Sequence, residues 1–306
     1  MPFFTQKRIL KDIKNYQASQ LEEHGIYCKF SDDNIYNFKA LIIGPRDTPY
    51  ENGFYLFDMV FPKDYPLNPP KVTFMTLDDR VRFNPNLYKN GKVCVSILGT
   101  WSGPGWTSCM TLNTVLLSLQ SLLHSHPIQN EPGWENCTDN RSIYYNELLS
   151  YYNYSVAIIK MIKYTPVGFE EFQELMIKHL FKNIKFHIQK LKGLTKYDGK
   201  KVASSIYSMY DILEYTKILD NILELKNMYQ SKYMDDIPNM LDIVDEEFKL
   251  IDISESDGKK KSTRKVPNQP AKNFDVGYQL LSENDNKMYQ VYLAKNNSKR
   301  WKKIEN

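Results

Sequence analysis

Asn84-Pro85-Asn86-Leu87-Tyr88-Lys89-Asn90-Gly91-Lys92-Val93-Cys94-Val95-Ser96-Ile97-Leu98 sets a single cysteine eight residues after an asparagine. A Gly-Lys turn lies between them and a short apolar run follows. No His or Asp adjoins the thiol in the sequence to act as its base. Such a cysteine suits exchange between thioesters better than peptide cleavage. In thioester exchange the leaving group is already a thiolate, so a good nucleophile suffices and a weak base is enough.

The flanking sequence on the N-terminal side predicts a helix over Thr5 to Glu23. Ile9, Ile13 and Tyr16 mark its apolar face, Leu10 and Leu21 widen it, and Gly25 ends it. Alternating segments follow at Ile26 to Phe30, Tyr36 to Ile43 and Gly53 to Phe61. Pro66, Pro69 and Pro70 impose an extended stretch before a short strand at Val72 to Phe74. This order predicts an α+β fold with a four-stranded antiparallel meander.

On the C-terminal side, Val81 to Gly105 is rich in turn residues. Thr111 to Leu123 returns to helical spacing, with Leu112, Val115, Leu116, Leu119, Leu122 and Leu123 on one face. A helix is expected from Asp139 to about Tyr164, stopped before Pro166, and two more over about Phe169 to Lys190 and Lys200 to Tyr229. The predicted organisation is a core at 1–165, a helical extension at 166–250, a polar linker at 251–273, and a basic tail at 274–306 holding a small hairpin.

The chain has 306 residues with 42% hydrophobic and 25% charged, the balance of a globular protein, and 22 Tyr with 15 Phe supply a sizeable core. A net charge of +4 does not argue for nucleic acid or membrane as a partner. Cys28, Cys94, Cys109 and Cys137 form no C-x-x-C pair, which fits a reducing compartment. The N-terminus has no signal-peptide core, and no stretch reaches the roughly 18 apolar residues of a membrane span. The expected location is the cytoplasm. The basic run Lys259 to Lys265 reads as solvated linker, with nuclear import as the alternative.

Helix followed by meander, Tyr65-Pro66-Leu67-Asn68-Pro69-Pro70, Asn86 with Cys94, and Trp106 ahead of a leucine-rich helix together resemble the ubiquitin-conjugating (E2) enzymes. The likeness covers about residues 5 to 162. Gly99-Thr100-Trp101-Ser102-Gly103-Pro104-Gly105-Trp106 and Asn130-Glu131-Pro132-Gly133 look like the larger, C-terminally extended members.

The resemblance implies the ubiquitin-conjugating fold and these roles. Cys94 accepts ubiquitin, or a ubiquitin-like modifier, as a thioester from an activating enzyme (E1) and passes it to a substrate lysine or to a ligase (E3). Asn86 stabilises the oxyanion or holds the loop around Cys94; read from the residues alone it is a turn asparagine after Pro85. Glu131, and less so Ser96, gate the incoming lysine, whose proton needs an acceptor; a solvated loop acid is the alternative for Glu131. Lys7, Arg8 and Lys11 on the first helix form the surface for E1. Leu67 and Ser108, within Thr107-Ser108-Cys109, form the surface for E3 and depart from the family's most common pattern. No cofactor is expected, ATP being consumed by the E1. Where the family usually has His, this chain has Asn84, and a less rigid loop is expected there.

Other signals carry less. His124 and His126 with Cys109 and Cys137 lack zinc-ligand spacing. Gly99 to Gly105 lacks the Gly-Lys-Ser/Thr ending of a phosphate loop. A non-catalytic E2-like binding module and a cysteine hydrolase built on Cys94, His124 and Asn86 are the rival function classes.

Overall fold

A computed structural model of the chain describes residues 2–233 and, beyond them, 271, 276, 279–281, 287–294 and 298–304. The chain divides into two compact units, Met1–Pro238 and Asn239–Asn306.

The first unit opens with helix α1, Pro2–Ala18, followed by a 3-10 turn at Leu21–His24. Its buried stripe is Thr5, Ile9, Asp12 and Tyr16, at the spacing of one helix face. Leu10, expected to widen that face, is exposed. An aspartate takes a core position instead, because Arg8 and the Tyr65 hydroxyl satisfy its carboxylate.

Four antiparallel strands follow in sequence order: β1 Ile26–Phe30, β2 Asn37–Ile43, β3 Phe54–Val60 and β4 Lys71–Phe74. The pairing Ala40↔Phe57 and Ile42↔Tyr55 puts these residues on one face, and Leu41↔Leu56 and Ile43↔Phe54 on the other. Both faces are buried in the middle of the sheet: Leu41, Leu56, Tyr55 and Phe57 have no exposed surface. Rings of Tyr50, Phe74 and Phe83 pack against Tyr55 and Phe57.

Helix α2, Leu112–Ser121, starts at a capping box in which Thr111 and Thr114 satisfy each other's backbone N–H groups. It buries Leu112, Val115, Leu116 and Leu119. Helix α3, Asn140–Tyr152, is capped by Asp139, runs through a π-helical segment at Asn153–Lys160, and ends in α4, Met161–Lys163. The widened turn presents Asn153 to the sheet. Its Oδ1 accepts from Tyr55 Oη at 2.7 Å and its Nδ2 donates to the Glu51 carbonyl at 2.8 Å. Gly53 makes room for it: a Cβ there would lie 1.9 Å from Asn153 Oδ1.

The extension packs on this core. Asn183 separates α5, Gln173–Lys182, from α6, Ile184–Leu194, where one helix was expected. His179 of α5 sets its ring against Phe54 at 5.9 Å, and Lys39 lies over the Phe169 ring at 5.1 Å. These contacts cover the second sheet face. The stretch expected as a single helix from Lys200 is instead a hairpin, β5 Lys201–Ala203 with β6 Tyr210–Ile212, followed by helix α7, Tyr215–Tyr233. Ser204 and Ser205 in the connection are weak helix formers, and the hairpin is held by tertiary partners: Lys200 pairs with Glu147 at 2.6 Å and Tyr152 donates to Asp211 at 2.7 Å.

In the second unit, Gln279–Leu281 (β7), Met288–Leu293 (β8) and Lys299–Lys303 (β9) form a three-stranded antiparallel sheet. The expected two-stranded hairpin thus gains a third strand, in which Trp301 pairs with Val291. The linker expected at 251–273, apart from Ala271, and the run Lys259 to Lys265 lie outside the described residues. Among the described residues no helix is long and apolar enough to cross a membrane.

Candidate active site

The loop bearing Cys94 leaves β4 and is tied back to it. The Phe74 N–H donates to the Gly91 carbonyl at 2.8 Å, and Thr73 bridges to Lys92. Gly91 adopts φ +88°, and a Cβ there would lie 2.9 Å from the Phe74 carbonyl oxygen. The position therefore needs glycine on both counts. From this anchor the chain returns so that the Cys94 N–H donates to the Asn86 carbonyl at 2.9 Å.

Asn86 closes the pair from its side chain, its Nδ2 donating to the Cys94 carbonyl at 2.5 Å. The eight-residue spacing read from the sequence is thus a closed loop. Asn86 is buried, and its backbone carbonyl and its side-chain amide both bond to the backbone of Cys94. Its Oδ1 is buried with no hydrogen-bond partner. Cys94 is only 1% exposed, so any reaction at its sulfur would require a small local opening of the loop.

Asn84 holds the loop to the rest of the domain. Its Oδ1 accepts from the Asn86 N–H at 2.9 Å and from Asn130 Nδ2 at 3.3 Å. Its Nδ2 donates to the Leu122 carbonyl at 2.8 Å and to Tyr50 Oη at 3.1 Å, and Tyr50 in turn donates to the Phe83 carbonyl at 2.6 Å. A fully buried side chain with all four contacts made is a rigid one. The looser loop expected from Asn84 is not what the structure contains.

The network continues to His124. Its Nδ1 accepts from the His126 N–H at 3.2 Å, so Nε2 carries the proton and donates to Asn130 Oδ1 at 3.1 Å. Both ring nitrogens are committed away from Cys94, which removes the base that a cysteine hydrolase would need. Ser96 is half-buried two residues past the thiol, with Gly103 of the glycine-rich stretch against it.

A model of the family described as ubiquitin-conjugating enzyme matches residues 8–150, which contain this entire loop network. Residues 8–150 belong to the ubiquitin-conjugating enzyme family. The chain is 36% identical over 198 residues to ubiquitin-conjugating enzyme E2 Z of Xenopus tropicalis, covering 63% of this chain and 63% of that protein. It is 49% identical over 128 residues to E2 Z of Homo sapiens, 40% of this chain and 36% of that protein. It is 38% identical over 201 residues to the probable ubiquitin-conjugating enzyme E2 R521 of Acanthamoeba polyphaga mimivirus, 60% of this chain and 14% of that protein. The matches thus span less than two thirds of the length of these relatives.

On the ubiquitin-conjugating domain, the residues expected to face an E1 fall into two groups. Lys7 and Lys11 are exposed. Arg8 is committed within the fold: it donates to the carbonyls of Ser108 at 2.8 Å and Met110 at 2.5 Å, and pairs with Asp12 at 3.2 Å. The residues expected to face an E3 are brought close together, because Trp106 Nε1 donates to the Pro66 carbonyl at 2.7 Å and so ties their two loops. Leu67, 66% exposed, and Ser108 stand on the joined loops.

Glu131 is half-buried and accepts a short hydrogen bond from the hydroxyl of Tyr207 in the β5–β6 connection. Burial first, and then this carboxylate, push the Tyr207 hydroxyl above its ordinary pKa, so it remains a donor. Sequence reasoning missed Tyr207, Arg82, Tyr50 and Asn130 as parts of the site. Only Asn130 carried a signal, in the motif Asn130-Glu131-Pro132-Gly133.

Proposed function

We propose that this protein is an E2 enzyme that carries ubiquitin, or a ubiquitin-like modifier, as a thioester on Cys94 and transfers it to a substrate lysine or to an E3. In the first step the Cys94 sulfur attacks the carbonyl of the E1-bound thioester. A new C–S bond forms at Cys94, and the E1 cysteine leaves as a thiolate. In the second step a lysine ammonium gives a proton to Glu131 and its nitrogen attacks the same carbonyl. The C–N bond forms, the C–S bond breaks, the nitrogen's second proton goes to the departing Cys94 sulfur, and the proton held by Glu131 passes to solvent.

The observation that carries this reading is the Asn86–Cys94 loop. The thiol sits on a backbone held at both ends by Asn86, with no histidine committed to it. Such a site favours an acyl group that arrives already activated. Lys7 and Lys11 fit the E1 surface in this reading, and Leu67 with Ser108 the E3 surface. Protein substrates in the cytoplasm, with no bound cofactor and no nucleic-acid partner, complete the proposal.

Incubation with E1, ATP and ubiquitin followed by a non-reducing gel tests it. The expected product is a thiol-sensitive adduct that is absent in Cys94→Ala. Failure of Cys94 to charge with ubiquitin and with ubiquitin-like modifiers would turn the assignment to a non-catalytic binding module.

A further inference from the structure

We infer that Tyr207, in the hairpin of the C-terminal extension, is a positioning residue for the lysine-transfer step, acting by fixing the Glu131 carboxylate. The inference rests on the E2 reading of Cys94 and concerns how the extension takes part in it.

Three observations carry it. First, Tyr207 (φ +63°) and Ser208 (φ +49°) lie in succession in the left-handed region. That backbone is disfavoured for each non-glycine residue, so the tip needs compensating contacts to keep this shape.

Second, those contacts converge on the catalytic loop. The Arg82 guanidinium lies between two rings, 3.6 Å from that of Tyr88 and 4.1 Å from that of Tyr207. The Arg82 N–H donates to Met209 Sδ at 3.5 Å, and Tyr145 donates to the Arg82 carbonyl at 2.7 Å. Arg82 also donates to the Pro85 carbonyl, next to Asn86.

Third, the ring is held by Arg82 and Tyr145 while the hydroxyl goes to Glu131 Oε2. A rigid ring with one donor fixes the carboxylate through Oε2, and a carboxylate has acceptor sites left for a further donor such as an incoming ammonium. The preceding residue, Asn130, is bonded to Asn84, which is bonded to Asn86, which is bonded to Cys94. Through Glu131 and its chain neighbour Asn130, the extension is therefore linked to the thiol loop. The appended hairpin completes the wall on which the lysine is presented.

The test uses full-length protein charged on Cys94 with ubiquitin, then chased with free lysine over a range of concentrations in single-turnover mode. Tyr207→Phe keeps the ring on Arg82 and removes only the hydroxyl. It is expected to lower kcat/KM for lysine about 10-fold. Glu131→Gln is expected to lower it at least as much. Adding Tyr207→Phe to Glu131→Gln is expected to change the rate by less than about 2-fold, because the carboxylate through which Tyr207 acts is gone. A packing role for Tyr207 would give the same deficit in both backgrounds. Wild-type discharge by Tyr207→Phe, or a deficit that persists undiminished beside Glu131→Gln, overturns the inference. If Tyr207→Phe does not fold, a wild-type discharge rate for Glu131→Gln alone overturns it. Failure of the unaltered protein to charge is a different result and refutes the E2 reading itself.

Discussion

Asn84 Oδ1 accepts the Asn86 backbone N–H at 2.9 Å, and through this bond the loop that carries Cys94 is fastened to the C-terminal end of α2 and to Tyr50. Asn84→Ala strands the Leu122 carbonyl, the Asn86 N–H and the Asn130 Nδ2 together, and leaves the Tyr50 hydroxyl only its bond to the Phe83 carbonyl. Buried groups left unpaired cost about 1–3 kcal/mol each before relaxation. The net loss in unfolding free energy is expected to be about 3 kcal/mol, read by urea titration, with charging of Cys94 reduced in parallel. Stability within 1 kcal/mol of the parent, roughly the value of one exposed hydrogen bond, would contradict this assignment.

Asn86 separates two kinds of role. A side chain that serves only as an oxyanion donor loses rate, not stability, when replaced. Here its Nδ2 donates to the Cys94 carbonyl, so Asn86→Asp brings a carboxylate against that oxygen. Asn86→Asp is therefore expected to melt below Asn86→Ala, and both below the parent. Equal melting points for all three proteins would leave Asn86 as a donor to the oxyanion alone.

Two histidines, His187 buried and His179 half-buried, make stability depend on pH. Burial, with Lys182 and Arg46 adding, lowers His179 to about 4; burial, with His179 and Lys190 adding, lowers His187 to about 3. Above the ordinary value of 6.5 both are neutral whether the chain is folded or not, and they cost nothing. Below it the unfolded chain takes up protons that the folded chain refuses, so stability falls as pH drops from 6.5 toward 4 and 3. The slope approaches about 1.4 kcal/mol per pH unit for each histidine. Melting curves at pH 7 and pH 5 measure it, and a variant carrying His187→Phe is expected to lose roughly half of the difference. An unchanged pH dependence in that variant would remove His187 from this account.

Arg8 and its neighbours on α1 are expected to part company. Arg8→Ala breaks bonds to Ser108 and Met110 and leaves the buried Asp12 short of its cation, at a cost of about 3 kcal/mol. Lys7→Ala and Lys11→Ala are expected to leave stability within about 0.5 kcal/mol while raising the E1 concentration needed for charging. A loss of stability from the lysine changes, or unchanged charging by the double lysine variant, would count against the division.

The sheet and the Asn86–Cys94 spacing were legible because strand periodicity and a local turn are properties of neighbouring residues. Ile26–Phe30 lies where its alternation put it. The limits of that reasoning appear where distant partners decide. The Lys201–Ile212 hairpin is held by Glu147 and Tyr152 and by its tip on Arg82, none of which leaves a local mark, and helical composition on either side masked it. Asn84 is rigid because Tyr50, Leu122 and Asn130 converge on it from far along the chain. One clue was present and unused: Phe54-Tyr55-Leu56-Phe57 is apolar on both parities, as in a strand covered on both faces.

That double coverage bears on how the chain can be divided. A fragment ending at 165, the expected end of the core, would carry the complete Cys94 loop but would lack α5 and the Phe169 turn. It would present Leu41, Ile43, Phe54 and Leu56 to water as one greasy plate. Such a plate invites self-association. The shortest piece that behaves well in a tube should therefore run to the end of α7, making the appendage a condition of solubility for the enzyme-like half.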